Sequence, residues 1–286
     1  MSLPALIEVA RILDVSASMR RVRFAGPGVA DYLSEARIPN IKLFFPDDAV
    51  PLPGPSRADH HRIAPEQRAR VRTYTVRSYD TGAATLDIDF VRHGEEGLAS
   101  SWVERARPGD TLGALGGGGR LPAPRPWMML VADDTGLPAA SAILEQLPVG
   151  QRGLALLEVD GPEDHQALSV PDGVEVRWLH RGGRPPGESA LLLDAALEAP
   201  LADPLEDGFV WVSAESRVVR EVRRHVRALG LPRENQLIIG YWHRGATETA
   251  YAEASSNDRV PDESRVSLPE GSRLRPDSMG RLLAGR

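Results

Sequence analysis

The segment Arg72-Thr-Tyr-Thr75 places a guanidinium and a phenol two residues apart in the strand-like run Val71–Tyr79. A period of two puts Arg72 and Tyr74 side by side on one face and turns Thr75 to the other. A fixed guanidinium beside an aromatic ring suits a ligand that carries both a phosphate and a flat ring system. The plainer alternative is a barrel strand with a surface arginine. Further on, Asp89-Phe-Val-Arg-His-Gly94 leads to Gly97-Leu-Ala-Ser100, which opens a helical stretch. Unpaired N–H groups at a glycine-led helix start suit a pyrophosphate. Alternatively, Ser100 is simply an N-cap.

A second junction, Val131-Ala-Asp-Asp-Thr-Gly-Leu-Pro-Ala139, joins an apolar strand to a helix. Thr135 is placed to cap, and Pro138 is tolerated in the first turn. Open parallel sheets bind ligands at the carboxyl ends of their strands, and this is such an end. The glycine run Gly116–Gly119 does not match G-x-G-x-x-G and does not link strand to helix, so it reads as a loop. His60-His61, with Glu66 downstream, has metal-ligand residue types but lies in a Pro-rich insertion, which favours a solvated loop over a metal site. The arginines from Arg217 to Arg227 read as the exposed face of a helix, or as an anchor for a nucleotide 2′-phosphate. Of 34 basic residues only Lys42 is lysine, in Ile41-Lys-Leu-Phe-Phe-Pro46. It reads either as a solvated strand residue or as a cation retained for its compact point charge.

These residues need two different scaffolds. From Leu6 to about Leu115 the apolar pattern is that of short strands: Ile7–Val15, Arg20–Ala25, Ile41–Phe45, Val71–Tyr79 and Thr85–Val91. Thr85–Phe90 alternates, with Leu86, Ile88 and Phe90 on one face and Asp87 and Asp89 on the other. With one helical stretch at Leu98–Ala106, this predicts a small antiparallel barrel. From Trp127 the rhythm becomes strand, helix, strand. The strands are Met128–Ala132, Leu154–Val159, Val174–Leu179, Phe209–Ser213 and Gln236–Tyr241, and the helices are Gly136–Gln146, Ser189–Glu198 and Glu215–Leu229. Near-continuous apolar strands alternating with helices predict a parallel sheet covered on both faces. The organisation expected is therefore a β-barrel over 1–122, an α/β domain over 123–250 and a flexible tail over 251–286, with a short helix at Met279–Leu283.

Composition narrows the function. A chain of 286 residues with 42% hydrophobic and 26% charged residues is globular, not disordered. A net charge of -6 argues against a general nucleic-acid binder. There is no apolar run of membrane-spanning length and no signal-peptide pattern, so a soluble cytoplasmic protein is expected. The absence of cysteine excludes disulfides, thiolate zinc sites, a catalytic cysteine and cysteine-ligated iron–sulfur clusters. No G-x-S-x-G, H-E-x-x-H or Walker sequence is present.

A barrel carrying R-x-Y-T and G-x-x-S, followed by a nucleotide-type α/β domain, resembles the ferredoxin-reductase-like flavoproteins. Asp89-Phe-Val-Arg-His-Gly94, Ala99-Ser-Ser-Trp102, Pro108-Gly-Asp110, Asp133-Asp-Thr-Gly-Leu-Pro138 and Gly240-Tyr-Trp-His-Arg-Gly245 narrow the likeness to the siderophore-interacting protein family. The resemblance spans about Ile7 to Thr247. It implies a cytoplasmic reductase with FAD as cofactor, NADPH or NADH as donor and a ferric siderophore as acceptor, working in a cleft between the domains. Arg72 would hold the flavin diphosphate, Tyr74 would lie against the flavin, and Thr75 would stand near N5. His93 and Gly94 would line the ribityl and phosphate path, and Ala99 and Ser100 would donate to the pyrophosphate. Asp89, Val91 and Gly97 complete that cofactor-binding set. Asp133, Asp134 and Thr135, with Leu137 and Pro138, would border the nicotinamide nucleotide, and Tyr241 and Trp242 would return toward the isoalloxazine. Lys42 and Arg244 are the expected substrate contacts. No acid–base dyad, no metal ligand, and no nucleic-acid or membrane partner is expected, and the chain is read as a monomer. Two positions depart from the family pattern: Asp134-Thr-Gly136 replaces Glu-Thr-Ala, and His243 replaces a basic residue. The alternatives are a flavin-dependent reductase with another acceptor and a non-catalytic siderophore-binding protein.

Overall fold

A computed structural model describes residues 4–34, 39–52, 64–94 and 97–259. The chain divides into two compact units, with the boundary between Leu121 and Pro122. No helix among the described residues is long and apolar enough to cross a membrane.

The first unit holds strands β1 (Ala5–Asp14), β2 (Met19–Ala25), β3 (Asn40–Phe44), β4 (Val71–Thr75), β5 (Ser78–Asp80), β6 (Thr85–Val91) and β7 (Thr111–Gly118), with helices α1 (Pro27–Ser34), α2 (Pro65–Arg68) and α3 (Leu98–Arg105). All its pairings are antiparallel, in the order β4-β3-β7-β1-β2-β6-β5. The run Val71–Tyr79 is not one strand, as its pattern suggested. Val76 N–H donates to Pro39 and Arg77 N–H to Asp87, so the chain changes partners between β4 and β5. These two strands end the sheet order yet are separated by only two residues, so the sheet must curl until its edges meet. That closure is the barrel.

Leu86, Ile88 and Phe90 of β6 are fully buried with Val22 and Phe24 of β2. On the opposite face Arg21 stands across from Asp89 and Arg23 from Asp87, each pair joined by two hydrogen bonds of 2.6–2.8 Å. Burial opposes the charge of Asp87, but hydrogen bonds from Arg23 and Ser78 outweigh it and hold the carboxyl below its usual range. The glycines 116–118 belong to β7 instead of a loop. Gly117 and Gly118 pair with Ile41 and Asn40 of β3, and the absence of side chains hid the strand pattern. Helix α1 carried no clear sequence signal and rests on β1.

The second unit is a parallel sheet of β8 (Trp127–Ala132), β9 (Arg152–Val159), β10 (Val174–His180), β11 (Gly208–Glu215) and β12 (Gln236–Trp242). Its helices are α4 (Leu137–Leu144), α5 (Leu191–Glu198), α6 (Ser216–Ala228) and α7 (Glu248–Ser255). The order β10-β9-β8-β11-β12 reverses direction between β8 and β11, which makes that crevice the topological switch point. In α6, Val219, Val222 and Val226 are buried. Arg223 is buried too and donates to the Ile238 carbonyl, so the arginines of this helix do not all lie on its exposed face.

The chain after 250 does not begin as a tail. Tyr251 in α7 is 2% exposed, and its hydroxyl donates to Asp258 over 2.6 Å. Asp258 also accepts from Ser216 of α6 at 2.5 Å. One buried aromatic ring anchors the segment, too sparse a signal to register as a hydrophobic period. The expected helix at 279–283, and His60-His61, lie outside the described residues.

Candidate functional site

In the first unit, β6 runs into α3 through Arg92-His93-Gly94, and Gly97 precedes the helix with φ +83°. Glycine adopts that left-handed backbone without strain. Among the described residues no side chain caps the helix, which leaves its first-turn N–H groups available to a ligand. Ser100 is therefore not the N-cap. It lies inside the first turn, is buried, accepts from His93 N–H at 3.1 Å and donates to the Gly94 carbonyl at 2.7 Å. Its hydroxyl fixes the loop against the open helix start. His93 and Gly94 are exposed there, Ala99 is buried and Val91 is half-buried.

Tyr74 packs on Phe90 with ring centroids 4.5 Å apart, and Phe90 packs on Trp102 of α3 at 5.6 Å. The R-x-Y-T strand and the helix are thus joined through one row of aromatic rings. Arg72 is half-buried and spends Nη1 on the carbonyls of Ala69 and Val71, both at 2.8 Å. Thr75 is buried at the end of β4, opposite Asn40. Asp89 is occupied by Arg21, so its carboxylate belongs to the sheet. In the β3–β4 register Lys42 faces Thr73, while Leu43 faces Arg72 and Ile41 faces Tyr74. Cross-strand partners share a face, so Lys42 lies opposite to Arg72 and Tyr74, with Nζ 3.3 Å from Thr73 Oγ1.

The second unit brings the switch-point residues together around Asp133. One carboxylate oxygen accepts from Thr135 N–H (2.9 Å), Thr135 Oγ1 (2.5 Å) and Gly136 N–H (3.3 Å). The other accepts from Glu215 N–H (2.9 Å) and from the Trp242 indole N–H (2.7 Å). Asp133, not Thr135, therefore holds the turn into α4, and it ties that turn to the ends of β11 and β12. Leu137 and Pro138 are buried in the first turn of α4. Asp133 also lines a recess, together with Glu158, Gly187, Ser189, Glu215 and Arg217.

Asp134 points elsewhere, into a buried charged cluster. Arg181 Nη1 lies 2.6 Å from Asp134 Oδ2 and 4.0 Å from Glu158 Oε1, and Asp134 Oδ1 has no partner among the described residues. Burial pushes the Asp134 carboxyl up to about 7, against the opposing pull of Arg181. Burial also raises Glu158, although Ser189 and Arg181 favour its charge. Arg244 is exposed and paired with Glu188. Sequence reading missed Glu158, Arg181, Gly187, Ser189 and Glu215. Glu215 stands where an apolar strand meets a helix, the same signal that found Asp133, whereas Glu158 and Arg181 reach the cluster only through the sheet order. Among the described residues no group of three or more His, Cys, Asp or Glu side chains forms a metal site.

Both units match family models. Residues 8–121 match the siderophore-interacting FAD-binding domain, and residues 125–245 match the siderophore-interacting protein model. The chain is 34% identical over 255 residues to the ferric vibriobactin reductase ViuB of Vibrio cholerae, covering 87% of this chain and 93% of that protein. It is 30% identical over 243 residues to the NADPH-dependent ferric-chelate reductase of Escherichia coli, covering 83% and 92%. The crystal structure of the siderophore-interacting protein SipS from Aeromonas hydrophila superposes with a TM-score of 0.75 at 35% identity, covering 90% of this chain and 98% of that one. The chain belongs to the siderophore-interacting protein family.

Proposed function

We propose that the chain is an FAD-dependent ferric-siderophore reductase that takes electrons from NADPH or NADH and releases Fe(II). The observation that carries the reading is the uncapped start of α3, held open by Ser100 and joined through Phe90 to the Tyr74 strand. Available N–H groups, a left-handed glycine and a guanidinium on the neighbouring strand fit a dinucleotide diphosphate and a flat ring. Arg72, Tyr74, Thr75, His93, Gly94, Gly97, Ala99 and Ser100 would hold FAD. FAD, when bound, supplies the step from a two-electron donor to a one-electron acceptor.

The recess at the β8–β11 switch point would take the nicotinamide nucleotide; Asp133 lines it and carries the hydrogen bonds of Thr135 and Trp242, and Leu137 and Pro138 follow in the first turn of α4. Arg244 in the second unit, and Lys42 on the face of β3 turned from Arg72 and Tyr74, would each offer a cation to an anionic chelate. Iron leaves because Fe(II) is softer and less charged than Fe(III) and is held weakly by hard oxygen ligands. Reducing equivalents of the NAD(P)H type are a cytoplasmic resource, which supports action there, as a monomer on a small chelate.

The test is FAD binding by the purified full chain. Wild type should bind FAD stoichiometrically and be bleached by NADPH or NADH. Arg72→Ala should lose about tenfold or more in FAD affinity, the scale of one charge-assisted hydrogen bond of ~1.5–3 kcal/mol. A wild-type chain that binds no flavin would leave only the carrier alternative.

A further inference from the structure

We propose that Asp133 is a positioning residue that fixes the indole of Trp242 against Gly187, behind the lining of the switch-point recess, and through it sets the affinity for the nicotinamide nucleotide. This rests on the proposed function only in naming the ligand of that recess. The indole N–H donates to Asp133 Oδ2 over 2.7 Å, although the two residues are 109 positions apart. The far edge of the same ring lies against Gly187, where a side chain would have its Cβ 2.9 Å from the indole, and Gly187 has φ +77°. Trp242 is therefore held at both ends, by a carboxylate and by bare backbone. Gly187 and Asp133 both line the recess, so the ring's placement and the recess's shape are one geometry.

Asp133 is suited to this role and not to direct ligand contact. Its two oxygens already accept from Thr135 N–H, Thr135 Oγ1, Gly136 N–H, Glu215 N–H and the Trp242 indole. An arriving nucleotide would find no unused donor there, because a carboxylate only accepts, and those acceptor positions are occupied. Asparagine cannot replace it. Its single oxygen would stay with the turn at Thr135 and Gly136, and its NH2 would then face the N–H groups of Glu215 and Trp242. Donor against donor, the indole is released.

The test uses the FAD-loaded full chain labelled with 15N-tryptophan. The sequence has five tryptophans, and Trp242→Phe identifies the indole signal of Trp242. In wild type that signal should lie downfield and exchange slowly. In Asp133→Asn it should move upfield and exchange faster, with the other four unchanged. Titration with NADP+ and NAD+ should show Kd raised about tenfold in Asp133→Asn for whichever dinucleotide wild type binds, equivalent to ~1.4 kcal/mol. FAD content should not change. Trp242→Phe should show the same loss, and the double variant no more than either alone, because both act through one contact.

Wild-type affinity in Trp242→Phe overturns the proposal, and this variant keeps the carboxylate and its four other donors if Asp133→Asn folds poorly. Additive losses in the double variant overturn it as well. If wild type takes neither dinucleotide, the reading of the recess falls together with this inference. If wild type binds and Asp133→Asn binds equally well, only this inference falls.

Discussion

Gly240 opens the Gly-Tyr-Trp-His-Arg-Gly segment, and the structure gives it a specific job. A Cβ at this position would lie 1.7 Å from the Tyr251 hydroxyl oxygen and 3.1 Å from the Asn257 carbonyl. Gly240→Ala must therefore push the ring away or shift β12. Overpacking of this kind costs ~1–3 kcal/mol, with loss of the Tyr251–Asp258 hydrogen bond contributing to the upper end. Tyr251→Ala removes a ring that is 2% exposed and should cost ~3–5 kcal/mol, the range for buried aromatic truncation. The two effects cannot add, because without the ring only the Asn257 carbonyl, at 3.1 Å, still crowds the alanine methyl. In the Tyr251→Ala background Gly240→Ala should cost ~0.5 kcal/mol or less, which gives a coupling energy of ~1–2 kcal/mol. Urea unfolding of the four proteins measures the cycle, with equal slopes as the condition for comparing midpoints. Additive losses would show that Tyr251 does not dock on Gly240, and the account of the C-terminal helix would fail with it.

Ser100→Ala leaves His93 N–H without its acceptor and frees the loop before α3, so FAD affinity should fall several-fold with ~1–3 kcal/mol of stability; undiminished flavin content in a folded variant would remove Ser100 from the flavin site. Asp134 has a folded pKa near 7 against 3.8 unfolded, so folding favours its protonated form. Its contribution is full below pH ~4 and is lost as pH rises to ~7, by at most ~4 kcal/mol at ~1.4 kcal/mol per pH unit. Wild type should therefore lose more stability than Asp134→Asn across that window, and parallel profiles for the two proteins would contradict the assignment. Lys42→Ala should raise KM for an anionic ferric siderophore at low salt, with a smaller defect at high salt, while reduction by NAD(P)H is unchanged. Equal KM values across a panel of such chelates would make Lys42 a bystander.

The parallel sheet was legible because its strands carry dense apolar runs, Met128–Ala132 and Phe209–Ser213 among them, with helices of clear period between. The alternation of β6 likewise foretold which face meets the core. What local pattern could not show was pairing. The break at Val76-Arg77 depends on a change of partner strand, and the Gly116–Gly118 strand has no side chains to alternate. The same limit applies to the sites. Residues at strand-to-helix junctions could be found from local sequence, which is how Asp133, Gly97 and Ser100 were identified. Which of them are already taken by the protein itself could not. Asp89 is consumed by Arg21, Asp134 by Arg181 and Asp133 by five donors, and each of those partnerships except the turn at Thr135-Gly136 spans at least 47 residues of sequence.

The most direct test of the central claim is anaerobic reduction of a ferric catecholate siderophore by the FAD-loaded protein, with NADPH or NADH as the only reductant and an Fe(II)-specific chromogenic chelator as the trap. Catalytic, flavin-dependent formation of the Fe(II) complex is predicted, with two Fe(II) formed per NAD(P)H consumed, and with a fall in Arg72→Ala that added FAD restores. Flavin that is bleached by NAD(P)H but delivers no electrons to this chelate or to any of a panel of ferric catecholates and hydroxamates would contradict it, and would assign the chain to a different acceptor.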